Sequence, residues 1–275
     1  MSKSSSPIGI FDSGYGGLTV FKEIVKILPQ YDYIYLGDNA RVPYGIRSFE
    51  TVYNYTLECV RHLFSMGCRL VIIGCNTASA KALRNIQQND LPLLEDLYKV
   101  LGVIRPTSEI IGNLSNTGHV GIMATKGTVN SLSYVIEIEK FFPHLKVFQQ
   151  ACPMFVPLVE ENEHHHKGSD YFIQKYIDGL LSQSPHIDTI VLACTHYPLL
   201  MNKIEQFLPV QIKLLSQGEI VAKSLKDYLI RHPEVESLCS RNRNHVFYTT
   251  ESTNDFNQKA TTFFGSPVES RLLPL

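Results

Sequence analysis

A chain of 275 residues with a formal net charge of -1 offers no basic field to a phosphate backbone, and no run of Lys or Arg interrupts that balance. Its apolar content of 44% is ordinary for a globular protein and its longest apolar stretches fall far short of a membrane span, so neither nucleic acid nor membrane is an expected partner. Six cysteines (Cys59, Cys68, Cys75, Cys152, Cys194 and Cys239) are too sparse for a disulfide scaffold and show no C-x-x-C spacing; with the polar leader Met1 to Pro7 they predict free thiols in a cytoplasmic protein.

In chain order, residues 8–11 read as a short apolar strand entering the loop Asp12-Ser-Gly-Tyr-Gly-Gly17, and residues 18–27 carry helical spacing that stops before Pro29. Residues 31–36 predict a second strand, followed by Gly37-Asp38-Asn39 and the turn Pro43-Tyr44-Gly45. Ser48 caps a helix with apolar positions at Val52, Leu57, Val60 and Leu63 that ends near Gly67. A strand then reaches Cys75, and residues 76–86 predict one further helix. Around Gly102-Val-Ile-Arg-Pro106 the pattern restarts, with strands at 120–124 and 146–150, a helix from Ser131, and a strand at 189–193 reaching Cys194. The helical stretch 220–230 and the strand 246–250 return to the first half. Strand and helix alternation of this kind predicts an α/β protein: two similar doubly wound domains with mainly parallel sheets facing an interdomain cleft. The expected division is 1–102 plus 214–275 for the first and 103–213 for the second.

Two distant segments end alike: Leu70-Val-Ile-Ile-Gly-Cys75-Asn-Thr77 and Thr189-Ile-Val-Leu-Ala-Cys194-Thr195-His196. Each is a buried parallel strand that stops at a cysteine, and the carboxyl ends of strands are where open α/β sheets bind ligands. A lone strand-end cysteine is more often inert core, which is the expectation for Cys59 and Cys68. Cys75 and Cys194 differ because polar residues follow at once and a helix N-terminus is expected beside each, which would lower the thiol pKa toward neutrality. A matched pair of thiols suits racemisation, where one group removes a proton from one face of a carbon and the other supplies a proton to the opposite face. His196 is placed to orient or protonate Cys194. The glycine loop lacks the G-x-G-x-x-G order and any Walker lysine, so it reads as a strand-end loop in which backbone amides and Ser13 meet a small anion while Asp12 meets an ammonium or a thiol. Glu160 ends an apolar stretch and is a candidate for proton chemistry, though by itself it reads as a surface acid; Tyr44-Gly45 either presents backbone N–H groups to a carboxylate or is simply a turn; and His164-His-His166 reads as a solvated loop rather than a metal site. A cysteine hydrolase or a non-catalytic acid-binding module are the competing readings.

These pieces, read together, resemble the glutamate racemases of the cofactor-independent aspartate/glutamate racemase superfamily. The matching motifs are Gly9-Ile-Phe-Asp-Ser-Gly14 with Gly16-Gly-Leu18, Leu36-Gly-Asp38, Pro43-Tyr-Gly45, Gly74-Cys-Asn-Thr-Ala78, Gly127-Thr128, Phe155-Val-Pro-Leu-Val-Glu160 and Ala193-Cys-Thr-His-Tyr-Pro-Leu199. The resemblance implies Cys75 and Cys194 as paired bases, assisted by Asp12, His196 and Glu160. It implies glutamate binding by Asp12, Ser13, Tyr44, Gly45, Asn76, Thr77, Thr195 and His196. No pyridoxal phosphate or metal is implied, the product D-glutamate serves bacterial peptidoglycan, and a homodimer is the assembly to test. An aspartate or broad-specificity racemase would share the same chemistry. Two segments depart from the family pattern: Leu214-Leu-Ser-Gln-Gly218, where many members carry an Asp at the strand end, and the acidic, histidine-rich stretch after Glu160. The short amino terminus gives no sign of the extended regulatory segment that some members carry.

Overall fold

Period-two alternation of buried side chains organises the molecule into sheets covered on both faces. In a computed structural model describing residues 6–94 and 97–275, ten strands form: β1 (Ile8–Asp12), β2 (Tyr33–Gly37), β3 (Leu70–Ile73), β4 (Lys99–Gly102), β5 (His119–Ala124), β6 (Lys146–Ala151), β7 (Thr189–Ala193), β8 (Lys213–Leu215), β9 (His245–Thr249) and β10 (Ser270–Leu272). The first five residues of the polar leader lie outside the described residues. Ile8 and Ile10 of β1, with Leu70 and Ile72 of β3, enter one apolar cluster, while Phe11, Val71 and Ile73 enter another on the opposite face. In β7 the same alternation sends Ile190 and Leu192 one way and Val191 and Ala193 the other. Strands buried on both faces are the mark of parallel sheets, and every pairing between these strands is parallel.

The strands make a six-stranded sheet, β10-β9-β2-β1-β3-β4, and a four-stranded sheet, β6-β5-β7-β8. β8 pairs with β7 through Leu215, so the second sheet runs past the boundary expected at residue 213. The apolar cluster that holds Ile8, Leu18 and Phe21 beside the first sheet also holds Phe155, Leu192 and Tyr197 beside the second, so one continuous core joins them. In each sheet the chain steps outward in one direction and then in the other, which creates a switch point between β1 and β3 and a second between β5 and β7. Such points open a crevice at the strand carboxyl ends.

Two helices differ from expectation. Residues 76–86 do not form one helix: Asn76–Lys81 is followed by Leu83–Asn85 and then by a π-turn, Ile86–Asp90. β4 crowds this segment, since a Cβ on Gly102 would lie 2.6 Å from Leu83 Cδ2. The helix expected from Ser131 begins at Lys126 instead, because Thr125 Oγ1 accepts from the Thr128 amide (3.2 Å) and caps it. It breaks at Leu132, whose φ of 55° is left-handed, and resumes as Ser133–Phe141. Ser48 caps Phe49–Ser65 as expected, its Oγ accepting from the Thr51 amide at 3.1 Å.

Candidate active site

The candidate residues gather at both switch points. β1 delivers Asp12 and Ser13 and β3 delivers Cys75 at the first, while β5 delivers Thr125 and β7 delivers Cys194 at the second. Asp12 is fully buried; its Oδ2 accepts from the Gly14 amide (2.9 Å), and its Oδ1 meets no hydrogen-bond partner among the described residues. Ser13 Oγ donates to Cys75 Sγ at 3.5 Å. Cys75 is also the N-cap of Asn76–Lys81, its sulfur accepting from the Ala78 amide at 3.4 Å.

The glycine loop is where the two halves meet. A Cβ on Gly16 would lie 2.2 Å from Thr195 Oγ1 and 2.5 Å from His196 Nδ1, and one on Gly17 would lie 2.5 Å from Asp12 Cβ. Only glycine allows the first-sheet loop to sit so near the loop that carries Cys194. Thr19 Oγ1 reinforces the approach by donating to the Thr195 carbonyl at 2.8 Å. His196 Nε2 pairs with Glu160 Oε1 at 2.8 Å, and the His196 ring meets Phe263 edge-on at 5.2 Å.

The electrostatics overturn one expectation. Burial pushes the Cys75 thiol up to about 11, and the Asp12 carboxylate adds to it, against the Ser13 hydroxyl and the Ala78 and Thr77 amides. Burial raises Cys194 as well, opposed by the His196 amide and reinforced by charge on Cys75, Asp12 and Glu160. Of the two, only Cys75 caps an α-helix, since Cys194 is followed by the short 3-10 turn Tyr197–Leu200, and at both thiols desolvation is the larger effect, so the expected shift toward neutrality is not found. Burial also raises Asp12, with His196 pulling in the opposite direction. At Glu160 burial is outweighed by the hydrogen bond and charge of His196, with help from Lys259, so the carboxyl stays below its ordinary range.

Residues 8–225 match the family model described as Asp/Glu/hydantoin racemase. The glutamate racemase of Geobacter metallireducens is 39% identical over 259 residues, 94% of this chain and 92% of the relative. Among solved structures, glutamate racemase isoform RacE1 from Bacillus anthracis superposes with a TM-score of 0.90 at 32% identity, covering 99% of this chain and 98% of that one. A Francisella tularensis glutamate racemase in complex with D-glutamate gives 0.85 at 30% identity, covering 98% of each. This chain belongs to the Asp/Glu/hydantoin racemase family.

Ser13 lies against Cys75, Asn76 and Thr77 open the helix that Cys75 caps, the glycine loop after Asp12 packs on Thr195 and His196 just past Cys194, and Glu160 joins through His196. The Tyr44 side chain does not join them: its ring is buried near Phe11 and Tyr55, and its hydroxyl donates to buried Asp38. Gly45 leans on the second half, with its carbonyl 2.8 Å from where a Cβ on Gly127 would sit. Beneath it the Thr77 and Thr125 hydroxyls lie 2.9 Å apart, and those of Thr125 and Thr128 lie 3.1 Å apart. The sequence reading left out Thr125, whose one signal was its place after the apolar strand at 120–124, and assigned Thr128 no part in the site. It also left out Lys81, which is buried and donates to the Arg47 carbonyl at 2.6 Å, pinning the turn that holds Gly45. In the histidine run His165 and His166 are exposed, as expected of a solvated loop, and His164 alone departs from that reading. His164 is 3% exposed on the short turn Glu163–His165, whose neighbours Ser169 and Lys203 bond the His164 and His166 carbonyls. Among the described residues no group of three or more His, Cys, Asp or Glu is placed to hold a metal ion, and no helix is long and apolar enough to cross a membrane.

Proposed function

We propose that this family member is a glutamate racemase that interconverts L- and D-glutamate by two-base proton transfer at Cα, with Cys75 and Cys194 as the bases. The observation that carries the assignment is the equivalence of the two thiols: each follows the strand beside the switch point of its own sheet, and the charge of Asp12 acts on both. Curated relatives named glutamate racemase, and the neighbour solved with D-glutamate, support the choice of substrate.

In one direction the thiolate of one cysteine takes the α-proton and becomes a thiol, while the opposite thiol gives its proton to the other face and becomes the thiolate. Atoms and charge balance, and the protein is left poised for the reverse reaction. Because burial raises both thiols, each needs a local acceptor: Ser13, next to Asp12, donates to Cys75, and His196, paired with Glu160, follows Cys194 by two positions. The substrate carboxylates are met by fixed donors in a desolvated cleft, where such donors count for more than in water. Asn76, Thr77, Thr195, the Tyr44 and Gly45 amides, and the Thr125 and Thr128 hydroxyls supply them. D-glutamate made in the cytoplasm this way would serve peptidoglycan synthesis, with the homodimer as the assembly to examine by light scattering.

Incubation with L-glutamate in deuterated water, following optical rotation and the α-proton signal together, tests the assignment. Loss of optical activity with deuterium entering the product is expected, and Cys75→Ala or Cys194→Ala should abolish racemisation in both directions. Near wild-type interconversion by either variant would refute the two-base assignment, and turnover of aspartate alone would refute the substrate.

A further inference from the structure

The chain passes between the two sheets twice, after β4 and after β8, and Gln217 sits at the second crossing. Its side chain is 3% exposed and belongs to a closed hydrogen-bond ring. Asn76 Nδ2 donates to Gln217 Oε1 (2.8 Å), Gln217 Nε2 donates to Tyr134 Oη (2.7 Å), and Tyr134 Oη donates to Asn76 Oδ1 (2.6 Å). Gln217 Nε2 also reaches the Val103 carbonyl (3.1 Å) and Thr107 Oγ1 (2.9 Å), both at the first crossing. All five residues are buried.

The ring has a direction, and a backbone atom sets it. A carbonyl oxygen only accepts, so Val103 requires that Gln217 turn Nε2 toward it. That places Oε1 against Asn76, which must then offer Nδ2, and Asn76 Oδ1 is left to accept from Tyr134. A flipped Asn76 would set its oxygen against Oε1 in a buried site, at the cost of an unmade hydrogen bond. The amide next to Cys75 is thus held with its oxygen engaged and with one of its two N–H hydrogens outside the ring.

We propose that Gln217, acting with Tyr134, is a positioning residue for the racemase reaction: it fixes the polarity of the Asn76 amide so that the cleft meets an N–H rather than an oxygen, and it fastens the two interdomain crossings behind that amide. This rests on the glutamate racemase assignment, in which Asn76 binds a substrate carboxylate. It also gives a role to a position, Leu214 to Gly218, where the sequence departs from the family pattern.

Gln217→Met keeps the volume and removes the polarity; KM for glutamate should rise about tenfold or more in both directions, with kcat changed less, as for a lost hydrogen bond to a charged ligand. Tyr134→Phe, the milder change should Gln217→Met fold poorly, should raise KM in the same sense by a smaller factor. In an Asn76→Ala background Gln217→Met should leave KM where it is. A lower kcat with KM unchanged in both single variants, or a full KM effect of Gln217→Met without the Asn76 amide, would overturn the assignment. If the wild-type protein does not turn over glutamate, the racemase assignment itself falls and this one with it; normal wild-type turnover with unaffected variants removes the positioning role alone.

Discussion

Replacing Gly16 by alanine tests whether the contact between the halves serves the chemistry. The added Cβ would lie 2.2 Å from Thr195 Oγ1 and 2.5 Å from His196 Nδ1, whereas ordinary contact begins at 3.4 Å, so the glycine loop and the Cys194 loop must part by about 1 Å. Overpacking of this kind costs about 1–3 kcal/mol. Reduced freedom of the unfolded chain returns about 0.4–1 kcal/mol, since Gly16 does not use a left-handed backbone. The net loss of stability is therefore small, on the order of 1–2 kcal/mol. The catalytic loss is not small, because a displacement of about 1 Å at reacting groups costs on the order of 10²-fold in rate. Circular dichroism of the glutamate solution gives kcat/KM, and thermal unfolding gives the stability. Gly168→Ala is the control: a Cβ there meets nothing within 4 Å, so both quantities should stay at wild type. A Gly16→Ala enzyme within about threefold of wild-type kcat/KM would show that the loops do not need this proximity.

Glu160→Gln removes the charge paired with His196 Nε2 and should lower kcat/KM about tenfold or more while leaving the melting temperature within a few degrees; an unchanged rate would remove Glu160 from the proton relay. Stability should fall on the alkaline side. The folded state holds the thiol protons of Cys59, Cys68, Cys75, Cys152, Cys194 and Cys239 more tightly than the unfolded chain does, so their contribution is complete below the ordinary thiol pKa and is lost as pH rises through about 9 toward about 11 at Cys75. Urea midpoints at pH 8 and pH 10 measure this, and equal midpoints would contradict the burial argument.

Local information carried much of the architecture. The β-branched runs ending at Cys75 and Cys194 read as strands buried on both faces, the Ser48 cap announced its helix, and the glycine spacing argued against a nucleotide loop. Because Cys75, Cys194 and Asp12 lie at or just past strand ends, with His196 close behind, the sequence marks them as candidates for proton transfer before any contact is known. Contacts between distant segments were not visible. Gln217 lies in a segment that departs from the family pattern, but nothing in the sequence ties it to Tyr134 or Asn76, and their ring exists only because two crossings and a helix meet there. His164 looked solvated because its neighbours are polar, yet it packs inward. The thiols show the division most plainly: a helix N-terminus can be expected from sequence and favours the thiolate, whereas desolvation depends on how completely the two halves close over the sulfur, and that larger effect belongs to the tertiary structure alone.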